Sequence, residues 1–146
     1  MDNILIKKRK EMKNKNLFYY FTILVLFLVL VGAIFIKPIH TPYGETDVNG
    51  ALILMENEDL FVINTHTPYI GEIDGTDLIA EDWDNMISYI DQLPKDKETP
   101  ILVYCRSGRM AETSAEQLAD LGYNNVYSLD GGMNAWQASG RNLVQK

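Results

Sequence analysis

Pro100-Ile101-Leu102-Val103-Tyr104-Cys105-Arg106-Ser107-Gly108-Arg109-Met110 carries an apolar run straight into a short polar turn that holds a glycine. Ile101 to Tyr104 reads as a strand buried on both faces, the kind that parallel sheets use. Arg109 to Leu121, stopped by Gly122, reads as a helix. The first N–H groups of such a helix lack intrahelical partners and point outward, which builds an anion site. Cys105, the single cysteine of the chain, sits between these two elements. There its thiolate form is favoured by N–H donors, by the helix dipole, and by the guanidinium groups of Arg106 and Arg109. The loop therefore reads as a nucleophile inside an anion cradle. The residues alone leave a plainer reading open, in which a lone cysteine is a small buried hydrophobe beside ordinary turn residues.

Downstream, the sequence continues Met110-Ala111-Glu112-Thr113-Ser114-Ala115-Glu116-Gln117-Leu118, then Leu121-Gly122-Tyr123, Asn125-Val126, Leu129, Gly131-Gly132-Met133 and Trp136. With these residues the chain resembles the rhodanese-like sulfurtransferase family over its C-terminal part, most densely from Ile101 to Gly140. The resemblance implies an α/β, three-layer domain with a mostly parallel central sheet and a six-residue active loop starting at Cys105. It also implies a persulfide intermediate on that cysteine. Carried over residue by residue, Arg106, Ser107, Gly108, Arg109 and Met110 form the substrate-binding cradle, and the arginines attract an anionic donor. The chain departs from the family upstream. Asn64-Thr65-His66 stands where Asp-Val-Arg is usual, and Gly71-Glu72-Ile73-Asp74-Gly75-Thr76 stands for Gly-His-Ile-Pro-Gly-Ala. The missing acidic and basic side chains are ones that brace the active loop in the family. Met110 stands where many members carry a basic residue. By resemblance His66 lies near the active site; read alone, it is a surface histidine after a strand.

The function this implies is transfer of a sulfane sulfur from thiosulfate or a similar anionic donor to a thiol or cyanide, without metal or organic cofactor. A non-catalytic rhodanese-like module for binding or thiol redox sensing at a membrane surface is the alternative. A cysteine phosphatase or arsenate reductase also uses a thiolate in an N–H cradle, but needs an arginine six places after the cysteine, where this chain has Ala111.

Leu17 to Ile36 is twenty residues without a charge. As a helix it reaches about 30 Å, the thickness of a hydrocarbon core. Residues 1–36 carry six basic and two acidic groups, net +4, whereas 37–146 carry seven basic and eighteen acidic, net −11. Basic flanks stay cytoplasmic. The expected organisation is a basic cytoplasmic tail (1–16), one transmembrane anchor (17–36), a linker (37–47) and the rhodanese-like domain (48–146) on the extracytoplasmic side of the cell membrane. A cleaved signal peptide fits less well, because Val31-Gly32-Ala33 lies inside the apolar run. A domain this acidic is a poor partner for nucleic acid. One cysteine excludes an internal disulfide, and two histidines without Cys or His pairing leave no structural metal site.

The remaining elements follow from pattern. Val48 to Asn57 is ambiguous by period, and the resemblance makes it a small helix. Phe61 to Asn64 and Asp77 to Ala80 read as strands around a Gly- and Pro-broken loop. Asp82 caps an expected helix over Trp83 to Leu93, with Trp83, Met86, Ile87 and Ile90 as its core stripe. Asn125 to Leu129 is a further strand and Met133 to Ser139 a last helix.

Overall fold

The computed structural model of the protein describes residues 16, 18–28 and 43–146, which divide into two units, one before residue 41 and one from residue 41 on. In the first unit residues 18–28 are helical (α1), and Thr22 Oγ1 donates to the Tyr19 carbonyl. Among the described residues no helix is long and apolar enough to cross a membrane. The anchor expected at 17–36 includes residues 17 and 29–36, which lie outside the described residues, as do the basic tail up to residue 15 and the linker up to residue 42.

The second unit is a five-stranded sheet of β1 (Gly44–Thr46), β2 (Phe61–Asn64), β3 (Leu78–Ile79), β4 (Ile101–Tyr104) and β5 (Val126–Leu129). Its order is β1-β5-β4-β2-β3, and every pairing is parallel. Helix α2 (Val48–Met55) and helix α4 (Gly132–Ala138) cover one face, and α3 (Arg109–Asp120) covers the other. The central strand β4 explains both layers. Ile101 and Val103 pack with Ala111, Ala115 and Leu118 of α3, while Leu102 and Tyr104 pack with Ala51 of α2 and Met133 and Trp136 of α4. Alternate side chains of a strand leave on opposite faces, so a strand clad on both sides must be apolar throughout. This is the three-layer α/β architecture that the resemblance implies.

Two expectations are corrected. The linker placed at 37–47 does not stop short of the domain, because Gly44–Thr46 form β1 and pair with Tyr127, Ser128 and Leu129. Three residues at a sheet edge bury little and carry no periodic apolar signal. The helix expected over Trp83 to Leu93 is only a 3₁₀ turn, Met86–Tyr89, set among bends and turns. Asp82, Asn85 and Ser88 take up local partners instead: Asn85 Nδ2 donates to Asp82 Oδ2 at 2.9 Å and Ser88 Oγ to the Asn85 carbonyl at 2.8 Å. Such short polar side chains compete with helical hydrogen bonds. The tighter 3₁₀ repeat brings i and i+3 onto one side. Met86 is accordingly buried with Tyr89 packed beside it, and Ile87 and Ile90 of the expected core stripe are exposed.

Candidate active site

The carboxyl end of β4 leads directly into the Cys105 loop, which is where open parallel sheets place their sites. Cys105 follows the in-out alternation of β4 and is 2% exposed, its side chain joining the α3-side core. The Gly108 N–H donates to Cys105 Sγ at 3.1 Å. Gly108 is also the N-cap of α3, with φ +107° and no side chain to satisfy the first turn. The N–H groups of Arg109, Met110 and Ala111 precede the first helical bond, made by the Glu112 N–H to the Gly108 carbonyl at 3.0 Å. These first-turn N–H groups have no intrahelical acceptor.

A pocket of about 160 Å³ is lined by His66, Cys105, Arg106, Ser107, Arg109 and Met110. Of the expected site residues, all but Gly108 line it, and Gly108 lies buried behind it against the sulfur. Arg106, Ser107 and Arg109 are exposed, and Met110 is half-buried against the α3-side core. Among the described residues the only ion pair joins Lys146 and Glu72, at 3.1 Å. The guanidinium charges of Arg106 and Arg109 are therefore not neutralised by carboxylates. Ala111, at the position where a phosphatase-type loop needs its arginine, is fully buried.

The loop is held from behind by α4. Met133 N–H donates to the Cys105 carbonyl at 2.9 Å and Asn134 N–H to the Arg106 carbonyl at 3.0 Å. This contact exists because Gly132 has no side chain: a Cβ there would stand 2.1 Å from the Cys105 carbonyl oxygen. From the other side the loop is held by the segment after β2. The Thr65 N–H and Oγ1 both donate to the Tyr104 carbonyl, at 2.8 and 3.1 Å. Asn64, fully buried, donates from Nδ2 to the Gly71 carbonyl at 3.1 Å and accepts at Oδ1 from the His66 N–H at 3.0 Å. The tie from this segment to the strand end before Cys105 is thus made by Thr65, while the Asn64 amide holds the segment to itself. Tyr104 adds a tie beneath, accepting from the Ile73 N–H at 2.9 Å and sharing a hydrogen bond with Thr76 Oγ1 at 2.6 Å. Burial pushes the Tyr104 phenol up to about 12, so it stays neutral.

His66 is 7% exposed and not a surface histidine. Its burial and the positive charge of Arg106 hold its pKa below the usual 6.5, so the ring is neutral at neutral pH. The bracing by Asn64, the burial of His66 and the close approach of Gly132 were not readable as contacts from the residues. Only the Gly131-Gly132 pair carried a signal, since paired glycines after a strand mark a tight backbone approach.

Residues 32–139 match the family described as the rhodanese-like domain. The chain belongs to the rhodanese-like domain family. Among its relatives is the thiosulfate sulfurtransferase GlpE of Pseudoalteromonas translucida, 28% identical over 107 residues that span 71% of this chain and 98% of the relative. The GlpE protein of Coxiella burnetii is 46% identical over 43 residues, 30% of this chain and 40% of the relative. A rhodanese-related protein of Thermoplasma volcanium has the same fold, with a TM-score of 0.59 at 20% identity, covering 71% of this chain and all of that one. The rhodanese-like fold also relates the chain to the polysulfide-sulfur transferase of Wolinella succinogenes, at a TM-score of 0.58 and 20% identity, over 84% of this chain and 89% of the other.

Proposed function

We propose that this rhodanese-like domain is a sulfurtransferase that carries a sulfane sulfur on Cys105, taken from thiosulfate or a similar anionic donor and passed to a thiol or cyanide. The observation that carries this reading is the Cys105 sulfur at the end of β4, bonded by the Gly108 N–H, in a residue that lines a pocket with Arg106 and Arg109, which have no carboxylate partner among the described residues. In the first half-reaction the Cys105 thiolate attacks the outer sulfur of the donor. The donor's S–S bond breaks and its electron pair leaves with sulfite. Arg106 and Arg109 hold the donor's anionic oxygens, and the free N–H groups at the start of α3 receive the transferred sulfur. In the second half-reaction an acceptor attacks the outer sulfur of the persulfide and the electron pair of its S–S bond returns to Cys105. Every charge that develops is met by main-chain donors or guanidinium groups, so the loop itself supplies the stabilisation.

Incubation with thiosulfate followed by intact-mass measurement is expected to add the mass of one sulfur atom to the protein and none to Cys105→Ser. Kinetics with both substrates varied are expected to be ping-pong. A protein whose mass does not change is instead the binding or redox-sensing module, and the transferase reading fails.

The apolar run 17–36 behind a basic segment supports a single-pass anchor that holds this domain on the extracytoplasmic face of the membrane. The protein is then expected to stay with the membrane pellet after alkaline carbonate washing. External protease on intact cells is expected to remove the domain. Release into the wash would refute the anchor.

A further inference from the structure

We propose that the imidazole of His66 is the base that takes the proton from an acceptor thiol, directing the second half-reaction of Cys105 to thiols; this rests on the sulfurtransferase reading above. The pocket contains one neutral nitrogen base. Its other lining residues are Cys105 itself, Arg106, Ser107, Arg109 and Met110, none of which accepts a proton from a thiol at neutral pH. His66 is more than nine-tenths buried, and its Nδ1 has no hydrogen-bond partner among the described residues. A buried polar atom left unpaired is costly and calls for a reason, of which a ligand or a reaction that uses the atom is one. The main chain that carries the ring is anchored: the His66 backbone N–H donates to Asn64 Oδ1 at 3.0 Å, and the adjoining Thr65 is tied twice to the carbonyl of Tyr104, the residue before Cys105. The segment that bears the imidazole and the strand end that bears the sulfur therefore move as one piece.

The chemistry requires such a group for one class of acceptor only. Ordinary thiols carry their proton at neutral pH and attack only as thiolates. Sulfite arrives with a lone pair and needs no base. In the proposed step the thiol gives its proton to the imidazole as its sulfur bonds to the outer sulfur of the persulfide. The persulfide S–S bond breaks, its electron pair returns to Cys105 Sγ, and the imidazolium then releases the proton to water. The charge of Arg106 and the burial of the ring keep the imidazole in its neutral, accepting form at neutral pH. The same charge assists return of the proton to solvent.

The test loads the full-length protein with thiosulfate, removes the excess, and times discharge by glutathione, by sulfite and by thionitrobenzoate, a thiol already ionised at neutral pH. His66→Gln is expected to slow glutathione discharge about 100-fold or more. Loading, sulfite discharge and thionitrobenzoate discharge should stay within about threefold. In the wild type, glutathione discharge is expected to be flat around neutrality and to fall as pH drops through the His66 value, which lies below 6.5. In the variant it should climb steadily with pH toward the pKa of the thiol. The other charged groups lining the pocket, Arg106 and Arg109, face every acceptor, so the sulfite and thionitrobenzoate profiles serve as the comparison. Equal slowing of glutathione and sulfite, or of neither, overturns the role of His66 and leaves the transferase reading standing. Failure of both His66→Gln and His66→Asn to load assigns the residue to structure and likewise overturns it. A wild type that takes up no sulfur overturns both readings.

Discussion

Gly132→Ala is expected to reduce sulfur uptake by about 100-fold or more, although residue 132 does not line the pocket. Gly132 has φ +54°, a left-handed conformation that costs an ordinary residue about 1–3 kcal/mol. The larger effect is steric. An added Cβ would lie 2.1 Å from the Cys105 carbonyl oxygen and 3.0 Å from the Arg106 carbonyl carbon. Both obstacles are backbone, so no side-chain rotation relieves the clash, and either the Cys105 loop or the start of α4 must move. Movement of α4 breaks the bonds from Met133 and Asn134 to the loop carbonyls. Movement of the loop displaces the sulfur from the Gly108 N–H and the arginines. A displacement of about 1 Å at reacting atoms is enough for a loss of this order. Uptake of labelled sulfur by wild type and variant, with urea unfolding of each, checks it. Wild-type uptake in the variant would mean that the loop does not depend on this approach.

Asn64→Leu is expected to destabilise the domain by about 2–6 kcal/mol, because it strands two buried backbone groups at once, each at about 1–3 kcal/mol. They are the Gly71 carbonyl, which now accepts from Nδ2, and the His66 N–H, which now donates to Oδ1. Asn64→Asp is the sharper variant. A carboxylate can still accept from His66, but its second oxygen then faces the Gly71 carbonyl with no proton to offer. The variant is therefore weaker than wild type at neutral pH. The folded state favours the protonated acid, raising its pKa above the ordinary value of about 3.9. Folded protein then binds more protons than unfolded, so the variant gains stability as pH falls through the raised value and the gap to wild type narrows. Urea midpoints between neutral and mildly acidic pH read this directly. A gap that widens on acidification would sink the account.

The elements legible in the sequence are those whose signal is local. Ile101 to Tyr104 announced a doubly buried strand because four adjacent apolar residues have no solvent face to offer. Arg109 to Leu121 announced a helix through its position after the polar turn and its stop at Gly122, and the structure runs it from Arg109 to Asp120. The segment from Asp82 to Leu93 misled. Its apolar residues fit a helical stripe, but its Asp, Asn and Ser side chains found closer partners in their own turns, and Gln117 Oε1 on α3 accepts the Met86 N–H. Strand β1 was silent because an edge strand of Gly-Glu-Thr is specified by the ladder it joins, not by its own composition.

The sequence by itself determined that a single cysteine stands between a buried strand and a helix N-terminus, since strand period, helix stop and charge are properties of neighbouring residues. Only the tertiary structure decided what surrounds that cysteine. Asn64 and His66 lie about forty residues upstream, and Gly132 lies twenty-seven downstream. They reach the loop because parallel pairing sets the carboxyl ends of β2, β4 and β5 side by side. Contacts across such distances in the chain follow from the register of strands and the closeness of packed backbones, and no local pattern encodes them.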